Sequence, residues 1–281
     1  MPLSKQEWLA LEKKAHELRR LCLDTTYWAG SGHIGGGMSV MDMLTVLYHK
    51  YMRLDVKNPK WEDRDRFILS KGHAGIAYAP VLVDFGWNDP EQLKTFNHTN
   101  SKMGIHLDSN KVVGVDASTG SLGHGLPVCV GMALAGKMDK KDYSVYTVMG
   151  DGELAEGSVW EGAMSAGNYK LDNLCAIVDR NRLQISGNTE DVMKQDSQEE
   201  RWAAFGWNVL SVPGNDMDAL VHAFELAKHC KGKPTVIIAN TTKGCGSSVM
   251  ENKAEWHHKV PTPEEVEQIM KDLDERKEAL S

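Results

Sequence analysis

The feature that most constrains the fold is a series of short apolar runs, rich in β-branched residues, that recur along the chain. They lie at 66–69, 144–149, 173–179, 208–212 and 235–240. Runs of this length and composition are typical of strands buried on both faces of a parallel sheet. Helical patterns separate them, for example at 158–169 and 217–229, and such alternation is typical of βαβ units with right-handed crossovers. The sequence therefore predicts an α/β fold with a doubly wound, mostly parallel sheet.

Helix-capping signals stand near both ends of the chain. Ser4 and Glu7 have the spacing of a capping box and predict an opening helix. Thr262 and Glu265 repeat that spacing, with a proline at the first helical position between them. They predict a last helix over about 263–279, and its polar composition predicts that it lies on the outside of the molecule.

Composition argues against several classes of function. The 32 Lys and Arg residues stand against 39 Asp and Glu, a formal charge of −7, which favours neither nucleic acid nor an anionic membrane as a partner. Uncharged stretches such as 125–136 are too short to cross a hydrocarbon core of about 30 Å, and the first residues lack the apolar region of a signal peptide. We therefore expect a cytoplasmic protein, and a single domain over 1–281 because no linker or repeat interrupts it. Five cysteines without a C-x-x-C pair predict reduced thiols rather than disulfides or a zinc cluster.

Two polar residues follow neighbouring predicted strands. Asp151 lies in a Gly-Asp-Gly turn after the run 144–149, and Asn181 follows the run 173–179. Adjacent parallel strands are about 4.8 Å apart, so the two side chains are expected at one edge of the sheet. Carboxylate and amide oxygens favour Mg²⁺ or Ca²⁺ over zinc, and Mg²⁺ commonly completes its coordination with phosphate oxygens. The pattern predicts a metal and diphosphate site, although the Gly-Asp-Gly sequence taken alone is equally typical of a tight turn.

Histidines recur in glycine-rich settings. His33, His73, His106 and His124 each lie beside or near glycine, while His16, His49, His222 and His229 lie in helical or charged stretches and are predicted to be surface residues. A neutral imidazole can donate one hydrogen bond and accept another, which suits polyhydroxylated substrates and acid–base steps. The adjacent pair His257 and His258 follows a loop that contains Gly244 and Gly246 and could close over such a site. Any one of these histidines could instead be a turn or surface-loop residue.

Taken together, these motifs resemble those of the transketolases. The motifs are Ser31-Gly-His33-x-Gly-Gly, Ser70-Lys-Gly-His73, Thr119-Gly-Ser-Leu-Gly-His-Gly125, and Gly150-Asp-Gly-Glu-Leu-Ala-Glu-Gly157 with Asn181. The pattern from Gly150 to Asn181 is shared by thiamin-diphosphate enzymes in general, whereas the histidine motifs indicate transketolase. The resemblance covers the N-terminal, diphosphate-binding half of that family. In this respect the chain is similar to the small subunit of transketolases that are divided over two polypeptides.

The resemblance implies thiamin diphosphate and Mg²⁺ as cofactors, with Ca²⁺ or Mn²⁺ as alternative ions. The implied metal ligands are Asp151, Asn181 and the backbone carbonyl of Leu183. The residues implied to contact the cofactor are His73, Gly120, Leu122, Gly150, Gly152, Glu153, Asn181 and His257. The residues implied in catalysis are His33, His73, His106 and His257 around the sugar, with Glu156 linking paired active sites across an interface. Between the adjacent histidines, His257 is preferred to His258.

The resemblance also implies a reaction and partners. A two-carbon ketol unit would pass from a ketose or ketose phosphate to an aldose acceptor. In the family, the glutamate that activates the aminopyrimidine and the arginines that bind substrate phosphate lie in a second, pyrimidine-binding domain. We therefore expect a separate C-terminal transketolase subunit that carries this domain, self-association in an α2β2 assembly, and no activity of the chain alone.

Departures from the family pattern leave alternatives open. Ile34 and Leu107 stand where the family often has proline, and His124 where glutamine is expected. These changes leave room for a transketolase of sulfosugars or branched sugars. Other thiamin-diphosphate enzymes are also consistent with the shared motif, namely a 1-deoxyxylulose-5-phosphate-synthase-like enzyme that condenses pyruvate with an aldehyde, or the α subunit of a 2-oxo-acid dehydrogenase. A noncatalytic binding module that retains the fold is the alternative outside the enzymes.

Overall fold

The computed structural model describes residues 3–280, and a central parallel sheet of five strands organises them. The strands that form it are β1 (Arg66–Leu69), β2 (Val145–Gly150), β3 (Leu174–Arg180), β6 (Asn208–Pro213) and β7 (Thr235–Asn240). Their order across the sheet is β1-β2-β3-β7-β6, and every neighbouring pair is parallel. Each of the five predicted runs is a strand, with bounds shifted by one residue at most. A separate two-stranded antiparallel hairpin consists of β4 (Leu183–Gln184) and β5 (Gly187–Asn188).

Helices cover both faces of the sheet, which confirms the doubly wound α/β fold. They are α1 (Lys5–Ala29), α2 (Ile34–Val46), α3 (Gly75–Asp84), α4 (Gly125–Met138), α5 (Gly157–Asn168), α6 (Thr189–Val192), α7 (Gln198–Ala204), α8 (Met217–His229) and α9 (Pro263–Glu278). The core on one face draws on α1, α2, α3 and α8. The core on the other face draws on α4, α5 and α7. Alternate residues of the strands point to the two faces, so Ile177 joins the first core and Val178 the second.

Both terminal helices begin with the predicted capping boxes. The Ser4 hydroxyl accepts a hydrogen bond from the backbone N–H of Glu7, and the Glu7 carboxylate accepts one from the backbone N–H of Ser4. Thr262 and Glu265 form the same pair of hydrogen bonds at the start of α9. The prediction that α9 lies wholly outside is wrong, because Ile269 and Leu273 are buried in a small apolar cluster with Leu23 and Trp256. A helix with few apolar residues can still bury them when they share one face.

One of the predicted surface histidines is also buried. His16 is only 9% exposed on the inner face of α1, and its Nδ1 has no hydrogen-bond partner among the described residues. Burial lowers the pKa of His16 to about 4, and the neighbouring charge of Arg19 acts in the same direction. The charged residues around His16 in the sequence had indicated a surface position, but Glu17 and Arg20 are exposed on another face of the helix, while Arg19 is buried on the same face as His16.

The structure contains free thiols and, in its described part, lacks a helix that could span a membrane. The five cysteines are free thiols, and Cys22, Cys129 and Cys175 are buried. Within residues 3–280, none of the helices combines the length and hydropathy that a bilayer-spanning segment requires.

Candidate active site

The site is built at the carboxyl ends of β2 and β3, where the structure brings Asp151 and Asn181 together. Gly150 and Asp179 are paired in the last register position of the two strands. Asp151 follows Gly150 and accepts hydrogen bonds from the backbone N–H of Gly152 at 2.8 Å and of Arg182 at 2.5 Å. Asn181 Oδ1 accepts from Leu183 N at 3.1 Å. Both side chains are buried, and both line the same cavity.

This cavity has a volume of about 340 Å³ and collects residues from several separate segments. Its lining includes the following residues that the sequence singled out: His33, His73, His106, Gly120, Leu122, Gly150, Asp151, Gly152, Glu153, Asn181, Leu183 and His257. Among the residues implied in cofactor binding, metal binding and catalysis, Glu156 is the exception, since it is exposed at the start of α5 and does not line the cavity. The topology thus gathers residues that lie more than 200 positions apart in the chain.

Asp179 supports the loop that carries Asn181. It is fully buried at the end of β3 and accepts from Lys71 Nζ at 2.6 Å, from Ser39 Oγ at 2.7 Å, and from Thr241 Oγ1. Burial opposes ionisation of this carboxyl, but the adjacent Lys71 ammonium and the hydroxyl donors hold its pKa below the ordinary value. Asn181 Nδ2 also donates to Asp179 at 3.1 Å. The buried ion pair therefore fixes the amide group of Asn181 and leaves its oxygen directed away from Asp179.

The carboxyl group of Asp151 lies in an environment that suits a cation. Burial and, to a smaller extent, the nearby charge of Asp179 raise its pKa to about 6, against the two backbone hydrogen bonds. A bound divalent cation would reverse both effects by stabilising the ionised form. Among residues 3–280, no three His, Cys, Asp or Glu side chains gather as a metal site. The predicted set differs from such a group, because it consists of one carboxylate, one amide oxygen and one backbone carbonyl.

Lys243 is a buried cation that sequence reasoning missed. It is 1% exposed, and no carboxylate lies within ion-pair distance of it in the part of the chain that the structure describes, although the more distant charges of Asp179 and Asp151 act on it. Its Nζ donates to Leu183 O at 3.0 Å and lies 2.8 Å from His257 Nδ1. Burial lowers the pKa of Lys243 to about 8, and the charge of Lys71 adds to the effect. A buried ammonium without a carboxylate is expected to be stabilised by a bound anion.

Three imidazoles form a cluster in the lining of the cavity. The ring centroid of His33 lies 4.9 Å from that of His73 and 5.3 Å from that of His257, and the last two are 5.5 Å apart. Burial lowers the pKa to about 4 for His33, about 2 for His73 and about 3 for His257, with neighbouring cationic groups acting in the same direction. The three rings are therefore neutral near pH 7 and can each donate and accept one hydrogen bond.

The loop before α4 closes the cavity beside His106. A Cβ atom on Gly120 would lie 3.3 Å from the His106 ring, so only glycine leaves this approach unhindered. Burial lowers the pKa of His106, which keeps its ring neutral as well. Gly120 and Leu122 of the same loop line the cavity.

Glu153 holds three segments of the site together. Its carboxylate accepts from the Ser70 hydroxyl after β1, from Gly123 N at 2.9 Å in the loop before α4, and from Gly150 N at 3.1 Å at the end of β2. Burial raises its pKa against these hydrogen bonds. Glu153 lines the cavity, but its oxygens are engaged by protein donors, so direct contact with a cofactor stays a prediction.

The residues that depart from the family pattern do not face the cavity. Ile34 is buried in the apolar cluster beneath α9, and Leu107 is buried in the main core. His124 is exposed, with Nδ1 at 3.2 Å from the Leu122 carbonyl. Any influence of Ile34 or Leu107 on a substrate is therefore exerted through the backbone of the neighbouring His33 and His106.

Several lining residues had escaped sequence reasoning. Lys71 lies inside the Ser70–His73 motif, so its place in that motif could have indicated that it lines the cavity. The hairpin β4–β5 was missed because strands of two residues show no periodicity. The additional lining residues are Gly36, Lys71, Gln184, Ile185, Ser186 and Lys243.

Comparison with known proteins gives the same result as this geometry. The family model for the thiamine diphosphate binding domain of transketolase matches residues 11–278. The chain belongs to the transketolase family. One of the subunits of an apulose-4-phosphate transketolase from Phocaeicola vulgatus is 46% identical over 270 residues, which cover 96% of each protein. One of the subunits of a 6-deoxy-6-sulfo-D-fructose transketolase from a Clostridium species is 42% identical over 92% of this chain and 94% of that protein.

Transketolases of greater length match over part of their sequence. Human transketolase is 40% identical over 95% of this chain, which corresponds to 42% of the human protein. The structure of transketolase from Leishmania mexicana superimposes with a TM-score of 0.89 at 31% identity, over 94% of this chain and 41% of that one. The structure from Campylobacter jejuni gives a TM-score of 0.89 at 33% identity, over 95% and 42%. This transketolase domain thus has the fold of the solved enzymes over nearly all of its length.

The residues of the cavity fit thiamin diphosphate. Within residues 3–280, neither Lys243 nor Asp151 has an oppositely charged side chain within ion-pair distance, and Gly150 and Gly152 line the cavity at the end of β2. His33 Nδ1 and Gln184 Nε2 are buried at the cavity and have no hydrogen-bond partner among residues 3–280. Buried polar atoms of this kind are commonly satisfied by a ligand or by ordered water. The Lys243 ammonium thus suits the diphosphate, the Asp151 carboxylate suits a metal ion bound to it, and the unpartnered atoms of His33 and Gln184 suit the polar atoms of a ligand.

Proposed function

We propose that this chain is the thiamin-diphosphate-binding subunit of a two-subunit transketolase. The observation that carries the proposal is the meeting of three groups in one cavity: the oxygen pair of Asp151 and Asn181, the unpaired Lys243 ammonium, and the neutral histidine cluster. The relatives named as transketolase subunits match over nearly their whole length, which supports a divided enzyme.

We propose Mg²⁺ as the metal ion, held by Asp151, Asn181 and the Leu183 carbonyl, with Ca²⁺ or Mn²⁺ as alternatives. All three groups line the cavity at the ends of β2 and β3. Oxygen ligands in this number suit an octahedral ion that takes its remaining ligands from phosphate and water. The raised pKa of Asp151 supports a cation at this position, because burial of a lone carboxylate is costly.

The remaining residues divide the work of binding and proton management. Lys243, Gly152, His73 and His257 hold the diphosphate, while the backbone of the loop at Gly120 contacts the aminopyrimidine. When bound, thiamin diphosphate supplies the carbanion chemistry that breaks and forms the carbon–carbon bond. His33 and His106, with neutral rings, hold the hydroxyl groups of the sugar and exchange protons with them.

We propose that a separate subunit with a pyrimidine-binding domain completes the site, in an assembly of two copies of each chain. Glu156 is exposed where α5 begins, beside the loop that precedes α4. The outer surfaces of these two helices carry exposed apolar residues, among them Val128, Met138 and Met164. Exposed apolar surface of this kind is typical of a subunit interface, which supports the proposed role of Glu156 between paired sites.

The substrate that the relatives favour is an unusual sugar. The subunits most similar among those described are named for apulose 4-phosphate and for 6-deoxy-6-sulfo-D-fructose. We propose ketol transfer involving a branched or sulfonated sugar as the more specific form of the function, with the ordinary ketose phosphates as the comparison. The cavity described above provides hydroxyl partners but, within residues 3–280, its lining includes no arginine for a phosphate or sulfonate end.

Reconstitution tests this function. The purified chain is mixed with its partner subunit, thiamin diphosphate and Mg²⁺, and ketol transfer is measured over a panel of ketose phosphates, branched sugars and sulfosugars. We expect transfer only when both subunits are present. Transfer by this chain alone would refute the divided-site proposal. The variant Asp151→Ala should abolish metal-dependent binding of thiamin diphosphate. Unchanged binding would contradict the role of Asp151 as a metal ligand, and a wild-type chain that does not bind thiamin diphosphate would favour a noncatalytic module.

A further inference from the structure

The two adjacent histidines after Trp256 have different surroundings. His257 faces the cavity beside Lys243, as described above. His258 is exposed at the rim, and its ring centroid lies 4.6 Å from that of His33 with the planes at 64°. This is the shortest of the ring contacts that His33 makes with other imidazoles, since His73 and His257 lie at 4.9 and 5.3 Å.

The segment that presents His258 is fixed by other residues. Trp256 is 1% exposed in the apolar cluster beneath α9, and the Lys259 ammonium lies 4.2 Å from the centre of the Trp256 ring. Lys259 also forms an ion pair with Glu265 at 2.6 Å. The N-terminus of α2 packs against the same segment, because a Cβ on Gly35 would lie only 2.5 Å from the Trp256 carbonyl oxygen. The backbone at 256–259 is therefore held without any contribution from the His258 side chain.

His33, by contrast, has few means of fixing its ring. Its Nδ1 is buried without a hydrogen-bond partner among residues 3–280, and its backbone forms the cap of α2 without a side-chain cap bond. The aromatic rings that surround it are the imidazoles of His73, His257 and His258. Two of them line the cavity and are assigned to the cofactor and substrate, which leaves His258 as the contact on the solvent side.

We propose that His258 is a positioning residue that holds the His33 imidazole in the cavity by packing against it from the rim. An edge-to-face contact between two rings restricts rotation of the less constrained ring. His33 then presents its polar atoms to the sugar in one orientation, which lowers the entropy cost of binding the substrate. This inference rests on the proposed function only in that His33 acts on the sugar.

The direct test observes His33 in the full chain loaded with thiamin diphosphate and Mg²⁺. Long-range ¹H–¹⁵N correlation spectra of histidine-labelled protein report the ring signals, with the His33 signals identified by their loss in His33→Gln. In His258→Ala the His33 signals should broaden or shift, and in His258→Phe, which keeps a ring, they should stay close to those of the wild type. Unchanged signals in His258→Ala would overturn the proposal, and so would a Phe variant that resembles the Ala variant.

Kinetics of the reconstituted enzyme provide the second readout. Ring contacts of this kind correspond to a change of about two- to tenfold in an equilibrium constant. We expect His258→Ala to raise KM for the ketose by that factor with kcat nearly unchanged, and His258→Phe to restore KM. A fall in kcat at constant KM would indicate loss of active protein and would overturn the positioning role. His222→Ala, which replaces an exposed histidine on α8, is the matched control.

The two readouts separate this inference from the proposed function. If the reconstituted pair shows no ketol transfer, the proposed function fails, while the spectra of the loaded chain still decide whether His258 orders His33. If transfer is observed and the spectra of His258→Ala match those of the wild type, only the positioning role fails.

Discussion

At the scale of single residues, the site is defined by charges that lack partners. Lys243 is buried with no carboxylate in contact among residues 3–280, while the equally buried Lys71 has Asp179 at 2.6 Å. The two lysines lie in one cavity, yet only one of them is neutralised by the described part of the protein. We propose that a bound diphosphate supplies negative charge beside Lys243 and that this side chain contributes to its affinity.

The substitution Lys243→Met tests this assignment. We expect affinity for thiamin diphosphate to fall by roughly ten- to a hundredfold, because a charge-assisted hydrogen bond contributes about 1.5–3 kcal/mol. The cofactor-free variant should be at least as stable as the wild type, since an unpaired buried ammonium is removed. Calorimetric titration measures the affinity, and Lys253→Met, on the exposed part of the same loop, is the control. Equal affinities of the two variants would contradict the assignment.

The residues that could be predicted from sequence are those whose signal is local. Asp151 and Asn181 were found because each follows a strand, and parallel strands end at one edge. Lys243 was not found, because its burial depends on contacts with residues far away in the sequence. One of them is Leu183, which lies 60 positions earlier in the chain. His16 was wrongly predicted to be a surface residue, because the spacing of apolar residues in α1 did not determine whether this position faces the core or the solvent.

At the scale of elements, α1 contains a group that makes stability depend on pH. The pKa of His16 is about 4 in the folded chain, against an ordinary value of 6.5. Below pH 6.5 the unfolded chain therefore binds a proton that the folded chain does not, and stability falls as the pH decreases towards 4. We expect His16→Gln to reduce this loss by roughly 1–2 kcal/mol at pH 5. Urea unfolding at pH 5 and pH 8 measures it, and an identical pH dependence in both proteins would disprove it.

The last helix is an element whose role the sequence understated. Leu273 on α9 is 2% exposed and packs in the cluster that contains Trp256. We expect Leu273→Ala to destabilise the chain by about 2–4 kcal/mol and to weaken cofactor binding, because the segment that carries His257 rests on that cluster. Thermal unfolding and calorimetric titration measure both effects. Lys271→Ala, on the exposed face of α9, should change the free energy of unfolding by less than about 0.5 kcal/mol. If Leu273→Ala bound the cofactor with unchanged affinity, α9 would have no influence on the site.

At the scale of the whole molecule, the alternation of strands and helices predicted a parallel sheet with helices on both faces, but it did not predict the order of the strands. The order β1-β2-β3-β7-β6 places the site at the carboxyl ends of β2 and β3 near the centre of the sheet, where α/β proteins commonly bind ligands. The subunit interface was harder to predict from the sequence. An apolar helix has the same residue pattern whether it packs against the core of its own chain or against another subunit.

The exposed surface of α4 and α5 is expected to contact another subunit. Met164 is 55% exposed on α5, and Met164→Asp places a charge where an apolar contact is expected. The variant should keep its secondary structure but shift towards smaller assemblies, as measured by analytical ultracentrifugation in the presence and absence of the partner subunit. Leu226→Asp introduces the same charge at a residue 44% exposed on α8 and should leave assembly unchanged. Normal assembly of Met164→Asp would place the interface elsewhere.

The unpaired ammonium at position 243 also has a consequence inside the cell. A polypeptide that lacks its vitamin retains an interior ammonium with no carboxylate in contact among residues 3–280, whereas the loaded form gains the binding free energy as resistance to unfolding. Proteases degrade the opened form, so the lifetime of this polypeptide should follow the supply of vitamin. We expect thiamin starvation to lower its abundance without any change in its transcript.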